Sequence, residues 1–91
     1  MNKAFHKKKI LITGHTGFKG SWLTFWLEKM GAKICGISKD IPTKPSLYKV
    51  LNLEKRIQDK RMDIRDLSKL KSVIKKFKPD FIFHLAAQSL V

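Results

Sequence analysis

Cysteine is nearly missing from this chain. Cys35 is the single one, so no disulfide can form within the chain, and its place in an apolar run predicts a buried thiol rather than a nucleophile. Long apolar runs are missing too. No stretch approaches the ~20 residues that span a bilayer, and the first residues, Met1 to His6, carry charge without the apolar core of a signal peptide. The expectation is a cytoplasmic protein with no membrane partner. The three histidines show no ligand spacing with acids or with Cys35, so no metal site is expected. Repeats and low-complexity segments are absent.

Acidic residues are scarce. Seven Asp+Glu stand against twenty Lys+Arg, for a formal charge of +13. Such a balance invites a nucleic-acid reading, but the lysines are scattered over every segment and the only tight cluster is Lys7-Lys8-Lys9. All but Arg56, Arg61 and Arg65 of the basic residues are lysine, and arginine is the better bidentate reader of phosphates and bases. No specific nucleic-acid partner is expected. With 91 residues, 43% of them apolar, the chain makes at most one small domain.

What is present is concentrated in seven residues, Gly14-His15-Thr16-Gly17-Phe18-Lys19-Gly20. They follow the apolar run Ile10-Leu11-Ile12-Thr13 and open a stretch of helical periodicity from Trp22 to Leu27. Strand, glycine turn and helix in this order bind the pyrophosphate of a dinucleotide. One glycine makes the tight turn, one lets a phosphate approach the backbone, and one lets the helix pack closely on the strand. The N–H groups and dipole of the helix start then face the anion, and Lys19 adds a cation beside it. The spacing is Gly-x2-Gly-x2-Gly rather than the Gly-x-Gly-x2-Gly of the simplest dehydrogenases.

Along the chain, Lys9–Thr13 reads as a buried strand and Phe18–Met30 as a helix ended by Gly31 in a left-handed cap. The helix has too many apolar residues for one stripe, so both of its sides are expected to be covered. Lys33–Ile37 is a second strand, and Ser38 to Ser46, with Pro42 and Pro45, is loop. Leu47–Lys55 reads as a short helix and Arg61-Met62-Asp63 as a third strand. Asp66 caps a helix on which Leu67, Leu70, Val73, Ile74 and Phe77 recur at helical spacing. Lys78-Pro79-Asp80 breaks it, and Phe81–Leu85 is a fourth strand. The alternation predicts an α/β fold, the N-terminal half of a Rossmann-type doubly wound parallel sheet with about four strands and crossover helices. Ligands of such sheets sit at the carboxyl ends of the strands.

The candidate residues stand at those ends. Asp40 lies twenty residues past Gly20, where a carboxylate accepts hydrogen bonds from the adenosine ribose; an acid there favours NAD over NADP, with Lys39 blurring the preference. Asp63 and Ile64 are placed to meet the adenine. His15 is expected to order the glycine turn, His84 to be a hydrogen-bonded core residue, and Trp22 and Trp26 to be core or interface aromatics. Short-chain hydride-transfer enzymes use a tyrosine with a lysine four residues later. The only tyrosine is Tyr48, with Asn52 at that offset and Lys49 adjacent, so no catalytic residue is assigned.

Thr13 to Leu23 closely resembles the cofactor turn of the CDP-glucose 4,6-dehydratases, extended short-chain dehydrogenase/reductases acting on nucleotide sugars. Pro42 to Tyr48 resembles the family's proline-containing segment after strand two, Asp63-Ile64-Arg65-Asp66 its adenine turn, and Phe83 to Val91 its end of strand four. The resemblance implies a Rossmann domain holding NAD, which takes a hydride from C4 of the sugar and returns it to C6 after water is eliminated across C5 and C6. It implies cofactor contacts from Gly14, Thr16, Gly17, Phe18, Lys19 and Gly20 at the pyrophosphate and from Asp63 and Ile64 at the adenine. Leu85, Ala86 and Ala87 would run beside the nicotinamide ribose, with Gln88 near the sugar. Met62 departs from the pattern, standing where the family has glycine, which would crowd the adenine edge.

The resemblance further implies that residues 1–91 are a partial NAD-binding domain, without the catalytic and sugar-nucleotide portions, from a homo-oligomeric enzyme. A nucleotide sugar would be a partner only with the remaining portion present, and the 91 residues alone would be inactive. Two other readings stand beside it: a free-standing dinucleotide-binding module without catalysis, and a basic nucleic-acid-binding protein.

Overall fold

The computed structural model describes residues 5–39 and 47–85. Its elements are β1 (Lys9–Thr13), α1 (Phe18–Lys29), β2 (Lys33–Ser38), α2 (Leu47–Val50), a 3-10 turn (Leu53–Lys55), β3 (Gln58–Arg61), α3 (Leu67–Phe77) and β4 (Phe81–His84). The four strands are parallel in the order β3-β2-β1-β4. The chain builds outward from β1 through β2 to β3, then crosses back to lay β4 on the other side of β1. Because parallel crossovers are right-handed, the return helix must lie on the opposite face from α1. Two cores result. Ile10, Ile12 and Ile34 pack with Leu27 and Ala32 on the α1 side, while Leu11, Cys35 and Ile37 pack with Phe77 on the α3 side.

Local chemistry explains the boundaries. Gly31 ends α1 at φ +86°, donating its N–H to the Glu28 carbonyl at 3.0 Å, as a left-handed cap requires. Asp66 opens α3 by accepting the Lys69 N–H at 3.2 Å. Cys35 is buried, and that burial pushes its thiol above the ordinary value.

Several expectations are corrected. The third strand is Gln58–Arg61 rather than Arg61–Asp63. It is an edge strand, polar and pinned by pairing Ser38 with Arg61, whereas Met62, expected within the strand, turns with Ile64 into the α3-side core. The single helix over 47–55 is two short pieces, split by Asn52 at φ +55°. Asparagine adopts that left-handed conformation more readily than most residues.

Among the described residues α1 is covered on one side only. Gly20, Ser21, Thr24 and Leu27 face the sheet, while Phe18, Trp22 and Trp26 are exposed, so the tryptophans are not core. Ser21 and Thr24 satisfy their hydroxyls on the His15 and Gly20 carbonyls at 3.1 and 2.7 Å, which lets small polar residues line a close helix–sheet contact. His84 is hydrogen-bonded, its Nδ1 lying 2.7 Å from Thr13 Oγ1, but it is exposed rather than core, because β4 has only β1 beside it among the described residues.

Candidate functional site

The carboxyl ends of the strands gather the glycine turn after β1, Ser38 after β2, Met62 to Ile64 after β3 and Leu85 after β4. Backbone bonds tie them together: Gly14 N–H to the Ile37 carbonyl at 2.8 Å, Met62 N–H to the Ser38 carbonyl at 3.1 Å, and Leu85 N–H to the Thr13 carbonyl at 2.9 Å.

Each glycine of the turn has a different physical reason. Gly14 lies at φ +78°, in the region that side chains rarely adopt. At Gly20 a Cβ would stand 2.1 Å from the Gly14 carbonyl oxygen and 2.9 Å from the His15 Cα, so helix and turn close only on glycine. Gly17 has neither constraint. Its φ is −72° and a Cβ there would meet only the Gly14 oxygen, at an ordinary 3.6 Å. Nothing within the described protein requires glycine at position 17.

Gly17 is also the N-cap of α1. No side chain caps the helix, no acid stands in its first turn, and its backbone ladder starts with Ser21 N–H on the Gly17 carbonyl at 2.8 Å. The Gly17 N–H turns back to the Gly14 carbonyl at 3.3 Å, and among the described residues the N–H groups of Phe18, Lys19 and Gly20 are the open donors of a helix start, with the positive end of the dipole behind them. Phe18 and Lys19 are exposed at this end. A bare backbone face at an uncapped helix start, flanked by a lysine, fits the pyrophosphate of a dinucleotide.

The other candidates are placed unevenly. Thr16 is buried, with its hydroxyl 2.7 Å from that of Ser38, tying the turn to β2. The Asp63 carboxylate takes the Arg65 guanidinium on both oxygens, Nη2 at 2.7 Å and Nε at 3.1 Å, together with the Arg65 backbone N–H. Those hydrogen bonds hold the Asp63 carboxyl well below the usual carboxylate range and raise Arg65. Ile64 and Met62 are half-buried against the α3-side core. Asp40, Ala86, Ala87 and Gln88 lie outside the described residues.

Beneath the turn is a cluster whose partners the sequence did not disclose. The His15 ring is fully buried, and its Nε2–H donates to Asp59 Oδ1 on β3 at 2.7 Å; its Nδ1 has no hydrogen-bond partner among the described residues, which assigns the proton to Nε2. Asp59 also accepts from Arg61 at 2.9 Å. Tyr48 meets the His15 ring edge-on, at 5.1 Å between centroids, and Arg61 lies over the Tyr48 ring. The Tyr48 hydroxyl is buried near Asp59 without a hydrogen bond of sound geometry, and burial, reinforced by that carboxylate, pushes its pKa up. His15 thus orders the turn by anchoring it to the edge strand. The available clue was Gly36: a glycine inside a strand marks a close approach, and here a Cβ would fall 2.4 Å from the His15 ring.

Burial lowers the His15 pKa from its ordinary 6.5, and the Asp59 hydrogen bond offsets this only in part. For Asp59, burial pulls upward, but hydrogen bonds to the carboxylate, from His15 foremost, bring it below 3.8. Both groups bind fewer protons folded than unfolded, so each stabilises the fold at higher pH and loses that contribution on acidification. Stability is expected to decline as pH falls below 6.5 and to fall again below 3.8; urea midpoints at about pH 7.5, 5.5 and 3.5 measure it. A midpoint that does not move between the first two would contradict a buried neutral His15.

The family model described as GDP-mannose 4,6 dehydratase matches residues 11–91. The CDP-glucose 4,6-dehydratase of Salmonella typhimurium is 50% identical over 84 residues, which are 92% of this chain and 23% of that protein. A GDP-mannose 4,6-dehydratase of Vibrio cholerae is 33% identical over 95 residues, 93% of this chain and 24% of the relative. The chain therefore spans about a quarter of the length of these relatives. Among solved structures, the Bordetella bronchiseptica enzyme WbmG in complex with NAD and UDP superposes with a TM-score of 0.78 at 26% identity, over 100% of this chain and 28% of that one. The dTDP-glucose 4,6-dehydratase of Bacillus anthracis in complex with NAD gives 0.74 at 25% identity, over 91% and 28%.

Proposed function

The chain belongs to the GDP-mannose 4,6 dehydratase family, and from that premise we propose that residues 1–91 are the N-terminal, NAD-holding part of a nucleotide-sugar 4,6-dehydratase, with CDP-glucose as the sugar nucleotide of the whole enzyme. The half-identity to the Salmonella typhimurium enzyme supports that choice among the sugars. The observation that carries the reading is Gly17, a glycine that neither backbone conformation nor internal packing demands, at the open start of α1.

In this reading Gly14 shapes the turn, Gly20 seats the helix, and Gly17 leaves room for the pyrophosphate. The N–H groups of Phe18 and Lys19 donate to it, the Lys19 ammonium balances its charge, and Thr16 keeps the turn on β2. Asp40 takes the adenosine ribose, while Asp63 and Ile64 flank the adenine. Leu85, Ala86 and Ala87 are assigned to the nicotinamide ribose and Gln88 to the sugar. NAD held there would supply the acceptor for the sugar hydride and the donor for its return. With Asn52 four residues after the single tyrosine, these 91 residues carry no tyrosine–lysine proton shuttle of their own.

The test is NAD titration of the 91-residue chain by calorimetry, beside Gly17→Ala. The methyl has room in the fold and the change costs only the N-cap preference for glycine over alanine, about 1 kcal/mol. The chain should therefore stay folded with a melting temperature lowered by a few degrees, while NAD affinity falls at least about tenfold, the equivalent of 1.4 kcal/mol. Undiminished NAD binding by a folded Gly17→Ala chain would remove the pyrophosphate from this turn.

A further inference from the structure

Where β1 and β2 begin, the α3 side of the sheet changes character. A sheet covered on both faces is apolar on both, and the α1 side keeps to this with Ile10 and Ile34 near the strand starts. On the α3 side, alternation puts Lys9 on the face of Leu11 and Lys33 on the face of Cys35, and the register sets these two lysines side by side. On β3, Gln58 stands beside Cys35 and Lys60 beside Ile37, on that same face. The C-terminal half of α3 overhangs them, adding Lys76 and the apolar wall of Val73 and Phe77. Between them lies a crevice of about 420 Å³.

Four lysines thus line one cavity. The ion pairs among the described residues engage His15, Arg56, Arg61, Arg65 and Lys69, and none engages Lys9, Lys33, Lys60 or Lys76. Asp80, just past α3, has its carboxylate on the Lys9 backbone N–H at 2.8 Å. Lys9 is half-buried and Lys33, Lys60 and Lys76 are exposed around the crevice; their like charges repel one another, and an anion between them converts that repulsion into attraction.

We propose that this crevice is a second anion site, separate from the glycine turn, which takes a phosphate chain bearing several negative charges. The cations come from three strands and a helix, an arrangement that serves successive phosphates of a chain better than one carboxylate. Lysine suits this, as a compact charge on a flexible stem. Gln58 and Ser72 supply neutral hydrogen-bonding groups in the same lining. Lys9 and Lys33 stand at the first residues of β1 and β2, roughly 13 Å along the strand from the glycine turn. Lys60, level with Ile37 nearer the carboxyl end, lies on the α3 face, whereas the glycine turn opens α1 on the other face, so both sites can be filled together.

The test is calorimetric titration of the 91-residue chain with tripolyphosphate, at fixed salt and with saturating NAD. One tripolyphosphate per chain is expected. Lys33→Gln with Lys60→Gln should weaken it about a hundredfold, tenfold for each charge-assisted hydrogen bond removed. Lys71→Gln with Lys75→Gln, on the exposed side of α3, removes the same charge and should change it less than about threefold. Circular dichroism checks that both variants keep the fold. Equal weakening by the two variants would reduce the effect to net charge and overturn the site. No binding, or binding that disappears when NAD is added and not otherwise, would overturn it as well. Repeating the titration with ATP separates the sources: tighter binding than tripolyphosphate assigns the phosphates to a nucleotide, and equal binding assigns a free phosphate chain.

Discussion

Gly20→Val is expected to destabilise the fold severely. The first added carbon would lie 2.1 Å from the Gly14 carbonyl oxygen and 2.9 Å from both the Gly14 carbonyl carbon and the His15 Cα, all of them backbone atoms. No rotamer change relieves such a contact; either α1 lifts from the sheet or the turn opens. Lifting α1 exposes the core of Ile10, Ile12, Leu27 and Ile34, and opening the turn breaks the 2.8 Å bond from Gly14 to Ile37. Overpacking of a well-packed contact costs ~3 kcal/mol or more at its upper end, against a total of ~5–14 kcal/mol for a domain of this length. A drop in melting temperature of at least ~12 °C, or no cooperative transition at all, is the expected outcome. A valine variant melting within a few degrees of the parent would mean that the third glycine is dispensable to packing. Gly17→Ala, three residues earlier, is the contrasting case, with binding lost and fold kept.

The second large effect couples two residues far apart in sequence. Gly36→Ala should destabilise by ~2–3 kcal/mol, because its methyl carbon would stand 2.4 Å from the His15 ring, and that ring is held by Asp59 and edged by Tyr48. His15→Ala alone should also destabilise, leaving Asp59 without its buried donor. Combined, the two changes should cost less than their sum by ~2 kcal/mol, since the new methyl group occupies space the imidazole vacates. A double-mutant cycle from urea midpoints measures this. Strict additivity would show that the ring moves aside freely and that His15 does not anchor the turn.

Much of the fold is legible in local patterns, and the exceptions have physical causes. Apolar β1 and β2, the Gly31 cap and the Asp66 cap are decided by the residues that form them, and each lies where periodicity and capping chemistry put it. β3 begins three residues ahead of the strand that the apolar pattern suggests, at Gln58 rather than Arg61. An edge strand needs little apolar surface, so its residues carry no hydrophobic signal. Met62, inside the expected strand, instead serves the core under α3 together with Ile64. The tryptophans of α1 suggest burial, yet the sheet approaches the helix too closely to admit them, and Gly20, Ser21 and Thr24 take the contact. Asp63 is legible as an acid at a strand end. Its engagement by Arg65, two residues on, is not, because spacing alone does not say which charges meet.

Local chemistry therefore sufficed for the strand–glycine–helix unit, the alternation of elements and the family resemblance, all properties of contiguous stretches of chain. The division of labour among Gly14, Gly17 and Gly20, the His15–Asp59 anchor under the turn and the lysine crevice beneath α3 required the folded chain. Each depends on distances between residues from separate strands, and parallel pairing after long crossovers, not sequence proximity, sets those distances.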